Sequence, residues 1–110
     1  MHVILTSKPG QYRTELNEDI ELIETWHYHF YGRLRARFDI GRLRKETRVR
    51  IVAEDDTGTV NIVPSKFLER FDDYASAKRE LEQLCSHGGA EAQLLLVTAS
   101  DHTSSTGAHL

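Results

Sequence analysis

The sequence predicts an α+β domain: a curved antiparallel sheet of about five strands, packed by a short helix and a longer helix near the C-terminus and closed by a last strand. Three observations lead there. Apolar and polar residues alternate with period two over residues 22–40 and again over 47–54, as half-buried strands do. From Tyr74 to Cys85 the apolar residues fall instead at helical spacing. Turn-forming residues punctuate these runs at Pro9-Gly10, at residues 54–58 and at Gly88-Gly89.

Residues 2–6 read as a first short strand, and Lys8-Pro9-Gly10-Gln11 places Pro then Gly where a type II turn needs them. Residues 12–19 are polar and read as loop. In the stretch 22–40 one parity carries Trp26, Tyr28, Phe30, Leu34, Ala36, Phe38 and Ile40. The other carries Thr25, His27, His29, Tyr31, Arg33, Arg35, Arg37 and Asp39. A two-residue hairpin turn at Tyr31-Gly32 would set Phe30 opposite Arg33 and swap the parities beyond it. They do not swap, so the pattern predicts one long strand over about 22–40, bent at Gly32. Fully extended it would reach roughly 60 Å at about 3.3 Å per residue. A domain of this size has a radius of gyration near 13 Å, so the strand must coil, break at Gly32 or project as an arm.

The next strand, 47–54, turns Val49, Ile51 and Ala53 inward and Arg48, Arg50 and Val52 outward. A turn over 54–58 leads to a strand over 59–63 that ends before Pro64. Ser65 caps a short helix with Phe67, Leu68 and Phe71 on one side. Asp72 or Asp73 caps the longer helix, which runs to about Ser86 with Tyr74, Ala77, Leu81, Leu84 and Cys85 as its buried stripe. Residues 92–98 are apolar on both parities in the middle, which predicts a well-covered central strand. Residues 1–99 therefore form one compact domain, and 100–110, small and polar, a flexible C-terminal tail.

Composition bounds the function. The chain has 110 residues, 39% of them hydrophobic, too apolar for a disordered chain. Its longest apolar run is only 94–97, which predicts no membrane span, and no signal-like segment opens it. The single cysteine, Cys85, makes neither an internal disulfide nor a thiolate zinc site, and the expected setting is cytoplasmic. No G-x-S-x-G, H-E-x-x-H, P-loop or G-x-G-x-x-G pattern occurs, no cofactor is implied, and the reading leans away from an enzyme. Cys85 lies near a helix C-terminus, where the dipole disfavours a thiolate, and on the apolar stripe, so it reads as core.

Charge is distributed unevenly. The chain carries 14 basic and 17 acidic residues for a formal charge of −3. Residues 33–50 hold eight of the basic residues against Asp39 and Glu46, about +6, and the remainder is about −9. If the long strand pairs with 47–54, then Arg33, Arg35, Arg37, Arg48 and Arg50 share one sheet face, extended by Tyr31. Like charges facing each other cost up to about 1 kcal/mol per pair, so such a face needs compensation. Acidic side chains of the chain itself, such as Glu80 and Glu82 on the helix, or its tail, supply it on one reading; an acidic partner supplies it on the other.

The function expected is a small non-catalytic binding or accessory module, a candidate subunit of a larger complex, docking an acidic protein surface or a second copy of itself through the arginines. Single-stranded nucleic acid or a phosphate ligand is the first alternative, supported by Tyr31 beside the arginine row and opposed by the net charge. The second is a metal-binding or enzymatic domain using His27 and His29. At i and i+2 of a strand they point the same way, with His2, Glu21 or Asp39 as candidate third ligands. The aromatic row Trp26, Tyr28, Phe30 and Phe38, followed by Phe67 and Phe71, reads as core between sheet and helices.

Overall fold

The computed structural model describes residues 1–97, folded as β1 (His2–Ser7), β2 (Tyr12–Thr14), β3 (Ile20–Phe30), β4 (Arg33–Leu43), β5 (Arg48–Ala53), β6 (Val60–Pro64), β7 (Arg70–Phe71), α1 (Tyr74–Leu84) and β8 (Ala92–Val97). Short 3-10 segments cover Ser65–Phe67 and Ser86–Glu91. A five-stranded antiparallel sheet has the order β7-β1-β4-β3-β8, and β2-β5-β6 form a second, three-stranded sheet. The α+β class with a sheet of about five strands is therefore present. The expected tail, 100–110, lies outside the described residues. No helix among those described is long and apolar enough to cross a membrane.

The long strand expected over 22–40 is instead a hairpin. Tyr31 and Gly32 both adopt positive φ, 52° and 73°, as a type I′ turn requires. Phe30 faces Arg33 and His29 faces Leu34, but Tyr28 faces Ala36, which leaves Arg35 as the extra residue of a β-bulge. One inserted residue reverses the parity that the turn had swapped. Tyr28/Ala36, Trp26/Phe38 and Glu24/Ile40 consequently share a face. A second irregularity at Ile23 restores the original phase, so that Leu22 faces Gly41. Unbroken parity thus arises from a turn plus a bulge, a combination that alternation alone does not separate from a continuous strand. Two 11-residue strands, each about 33 Å from first to last Cα, fit a domain 34 Å across, which a single extended strand would not.

Each face of the five-stranded sheet packs against a different layer. On one side Ala36, Phe38 and Ile40 meet Ala77 and Leu81 of α1, with Ile4, Trp26, Tyr28 and Phe71 around them. On the other, Val3, Leu5 and Ile20 meet Val49 of the second sheet, with Leu16, Leu43 and Leu68 at the margin. β1 alternates between the two cores, which is why the run Val3-Ile4-Leu5 is apolar on both parities. Gly41 permits the close approach of Ile20, whose methyl would lie 2.5 Å from any added Cβ.

Several local expectations are corrected. Residues 12–14 are strand rather than loop, since Tyr12–Thr14 pair with Ile51–Ala53. Val52, expected outward, is buried, because Arg13 of β2 and Val60 of β6 flank it. Ser65 does not cap the short helix. It is buried and donates from Oγ to Glu46 Oε2 at 2.9 Å while accepting from Thr47 N. Phe67 is 72% exposed, as the 3-10 turn carries it away from the core. Leu84 is 55% exposed, since α1 ends there and its last turn extends past the packed residues. Strand β8 pairs with β3 alone among the described strands, so it is an edge and not a central strand, and Leu95 and Leu96 stay partly exposed.

Asp73 caps α1 by accepting from Ser76 N at 2.8 Å, one of the two positions expected. The helix is tied to the sheet by Glu24, the one acidic residue on the aromatic parity. Its Oε1 accepts from Tyr74 Oη at 2.7 Å and from Trp26 Nε1 at 3.0 Å. The hydrogen bond to this carboxylate, together with burial, pushes the Tyr74 hydroxyl up to about 12.

Two outcomes follow. Deleting Arg35 removes the bulge and throws Ala36, Phe38 and Ile40 off the helix-facing side, so cooperative urea unfolding is lost. Arg35→Ala, which keeps the extra residue, stays within about 0.5 kcal/mol of wild type. A phenol whose folded pKa is raised contributes stability below its unfolded value near 10 and loses it as pH climbs through about 12. Tyr74→Phe therefore removes the last phase of the phenolate absorbance titration and flattens the loss of stability over that window.

Candidate functional site

The five arginines do not form one face. Strands β4 and β5, expected to pair, lie in different sheets, so Arg33, Arg35 and Arg37 are separated from Arg48 and Arg50. The bulge then divides the first three. Arg33 stands across from Phe30, and Arg35 borders a cleft with Tyr28, Ala36 and Phe38, both on the helix side of the sheet. Arg37 points to the opposite side, where its Nε donates to Asp39 Oδ1 at 3.1 Å. Arg48 and Arg50 are exposed on the outer face of the second sheet, on either side of inward-facing Val49. Tyr31 is exposed at the hairpin tip with its ring edge-on to Phe30, centroids 4.6 Å apart.

The basic segment is half compensated from within the chain. Arg37, Arg42, Lys45 and Arg50 pair with Asp39, Glu21, Asp19 and Glu15. These acids come from neighbouring strands and loops rather than from the acidic helix face, where Glu82 pairs with Lys78 along α1. Arg33, Arg35, Arg44 and Arg48 make no ion pair among the described residues.

Between the two sheets runs a cleft of about 650 Å³, bordered by Tyr12, Arg13, Glu15, His27, Leu34 and Arg37. At its base Asp39 is only 1% exposed, and Thr25 Oγ1 donates to its Oδ1 at 2.7 Å. A buried carboxylate persists because Thr25 and Arg37 satisfy it. The charges lining this cleft are largely matched, Arg37 with Asp39 and Arg13 with Glu15.

The histidine pair sits side by side as the strand period requires, with ring centroids 6.2 Å apart. Buried His29 Nδ1 has no hydrogen-bond partner among the described residues. The candidate third ligands are engaged elsewhere. Asp39 is held by Thr25 and Arg37, the Arg42 guanidinium holds the Glu21 carboxyl below its ordinary range, and His2 lies opposite Arg42 and Phe71 on β1. No group of three or more His, Cys, Asp or Glu among the described residues is arranged to hold a metal ion.

A second cleft, of about 570 Å³, opens on the helix side. Lys8, Tyr12, Tyr28, Leu84 and Cys85 belong to it with Arg35, and apart from the arginine none of these stands out in the sequence as a binding residue. The signal that points to it is the unswapped parity around Tyr31-Gly32, which only a bulge at the hairpin can reconcile with a turn. Cys85 is half-buried, and burial pushes its thiol up, away from the thiolate a nucleophile needs.

No protein-family model, curated protein or solved structure matches this chain.

Asp39→Ala leaves the Thr25 hydroxyl without its acceptor and Arg37 without its partner. It lowers stability by about 1–3 kcal/mol in urea denaturation. Arg33→Ala, at a solvated and unpaired position, stays within about 0.5 kcal/mol in the same measurement.

Proposed function

We propose that this domain is a non-catalytic binding or accessory module that docks an acidic protein surface through the outer face of the β5–β6 ladder. The observation that carries the reading is the cross-strand register, with Arg48 opposite Pro64 and Arg50 opposite Ile62. Residues directly opposite in an antiparallel pair share a face, so across the ladder the cations face apolar side chains, although Arg50 also pairs with Glu15. Ile62 is 50% exposed and Val60 40%. Lys66 joins Arg48, Pro64, Thr47 and a single acid, Glu46, around a shallow hollow, with its ammonium 5.3 Å from the Phe67 ring centroid. Exposed apolar side chains rimmed by arginine are the composition from which protein interfaces draw their anchors. Of the five arginines expected to act together, Arg48 and Arg50 lie on this face, Arg50 also paired with Glu15 and Arg48 with no ion pair among the described residues; Arg37 is committed to Asp39 on another face.

The test is co-purification from the native host, comparing wild type with Arg48→Glu/Arg50→Glu. A specific partner held by the wild type in a salt-sensitive manner, and reduced about tenfold or more in the double variant, supports the reading. A set of retained proteins that is the same for both variants overturns it. Light scattering separates the case in which the partner is a second copy of the chain. Binding of a single-stranded oligonucleotide that weakens steeply with salt establishes the nucleic-acid alternative instead.

A further inference from the structure

The helix-side cleft carries an inference that shares no residue with the Arg48–Arg50 surface and stands whether or not that surface docks a partner. Its about 570 Å³ lies within the range of small-molecule sites. Lys8 comes from the turn after β1 and Arg35 from the bulge, and no Asp or Glu among the described residues lines the cleft. Neither cation makes an ion pair among the described residues. The remaining lining is mostly apolar or aromatic, with Thr6 and Gln11 as its uncharged polar members: Phe38 is buried, Tyr12 and Tyr28 are half-buried, and Leu84 is 55% exposed because nothing in the described chain packs over the last turn of α1.

We infer that this cleft binds a small organic anion, a carboxylate carried on a planar apolar body, with Lys8 and Arg35 on the carboxylate and Tyr28, Phe38 and Leu84 against the body. Two like charges brought to one solvent-lined wall, with no acid among the described lining residues, favour an anionic occupant. The guanidinium fork suits a carboxylate. Orientation follows from the helix, whose C-terminal carbonyls at Leu84 and Cys85 carry partial negative charge and repel the anionic end. The carboxylate therefore lies at the Lys8–Arg35 end and the apolar body along Leu84. The bulge supplies the geometry, since it turns Arg35 to the same side as Ala36 and Phe38 instead of the side Arg37 takes.

The probe is 2-naphthoate, titrated into the full chain by amide NMR, with 2-naphthalenemethanol as its uncharged counterpart. Shifts confined to the cleft are expected, with the alcohol bound at least about tenfold more weakly. Lys8→Ala and Arg35→Ala each weaken naphthoate by about tenfold, the scale of one charge-assisted hydrogen bond, and both retain the wild-type far-UV spectrum. Arg48→Glu leaves naphthoate affinity unchanged, which separates this site from the docking face. Cys85 gives a second readout: saturating naphthoate slows its alkylation by iodoacetamide several-fold. No binding up to about 10 mM, equal affinity for the alcohol, or affinity indifferent to both cleft variants overturns the inference.

Discussion

The β-bulge at Arg35 is the constraint from which the rest of the domain follows. A type I′ turn at Tyr31-Gly32 with an uninterrupted ladder would set Tyr28 against Arg35, Trp26 against Arg37 and Glu24 against Asp39. Two arginines and an aspartate would then lie beneath α1, where Ala77 and Leu81 are fully buried. Burying those charges without partners costs several kcal/mol apiece, far more than one unpaired ladder position. Inserting one residue instead brings Ala36, Phe38 and Ile40 under the helix and sends Arg37 and Asp39 to the opposite face. The helix-side core, the satisfied Asp39 and the cleft beside Arg35 are three consequences of the same register shift.

Layering then decides what the basic segment can do. Because β4 lies inside the five-stranded sheet and β5 in the second, a run of arginines contiguous in sequence is spread over three environments. Four of its eight basic residues are matched by acids brought from β3, the loop before it and β4 itself. The others make no ion pair among the described residues where the chain presents them to solvent, at the hairpin, beside Asp19's loop and on the outer ladder. A segment charge of about +6 thus becomes several smaller surfaces of different chemistry. The aromatic row is divided too: Trp26, Tyr28 and Phe38 pack on the helix side, while Phe67 leaves the core altogether.

Most elements were legible from period and turn chemistry. The first strand, the Pro9-Gly10 turn, β5, β6 and α1 with its Asp73 cap each rest on a local rule, and each is present. The long strand was not legible, because a hairpin with one bulge and a bent continuous strand leave the same alternation in the sequence. Edge and centre were confused at β8 for a related reason, since an apolar run does not state how many neighbours it has. Of the candidate site residues, His27 and His29 lie side by side as the strand period alone requires. The common arginine face required β4 and β5 to be neighbours, a long-range fact that no local pattern encodes.

What the sequence determined by itself was composition of faces: which residues alternate toward apolar surroundings, where the chain turns, and that positive charge concentrates over residues 33–50. What only the tertiary structure decided was which faces meet. Side-chain parity is a property of one strand, whereas register, sheet membership and bulges are properties of pairs. The energy that selects them, keeping Arg37 and Asp39 out from under α1, exists only once the helix lies over the sheet.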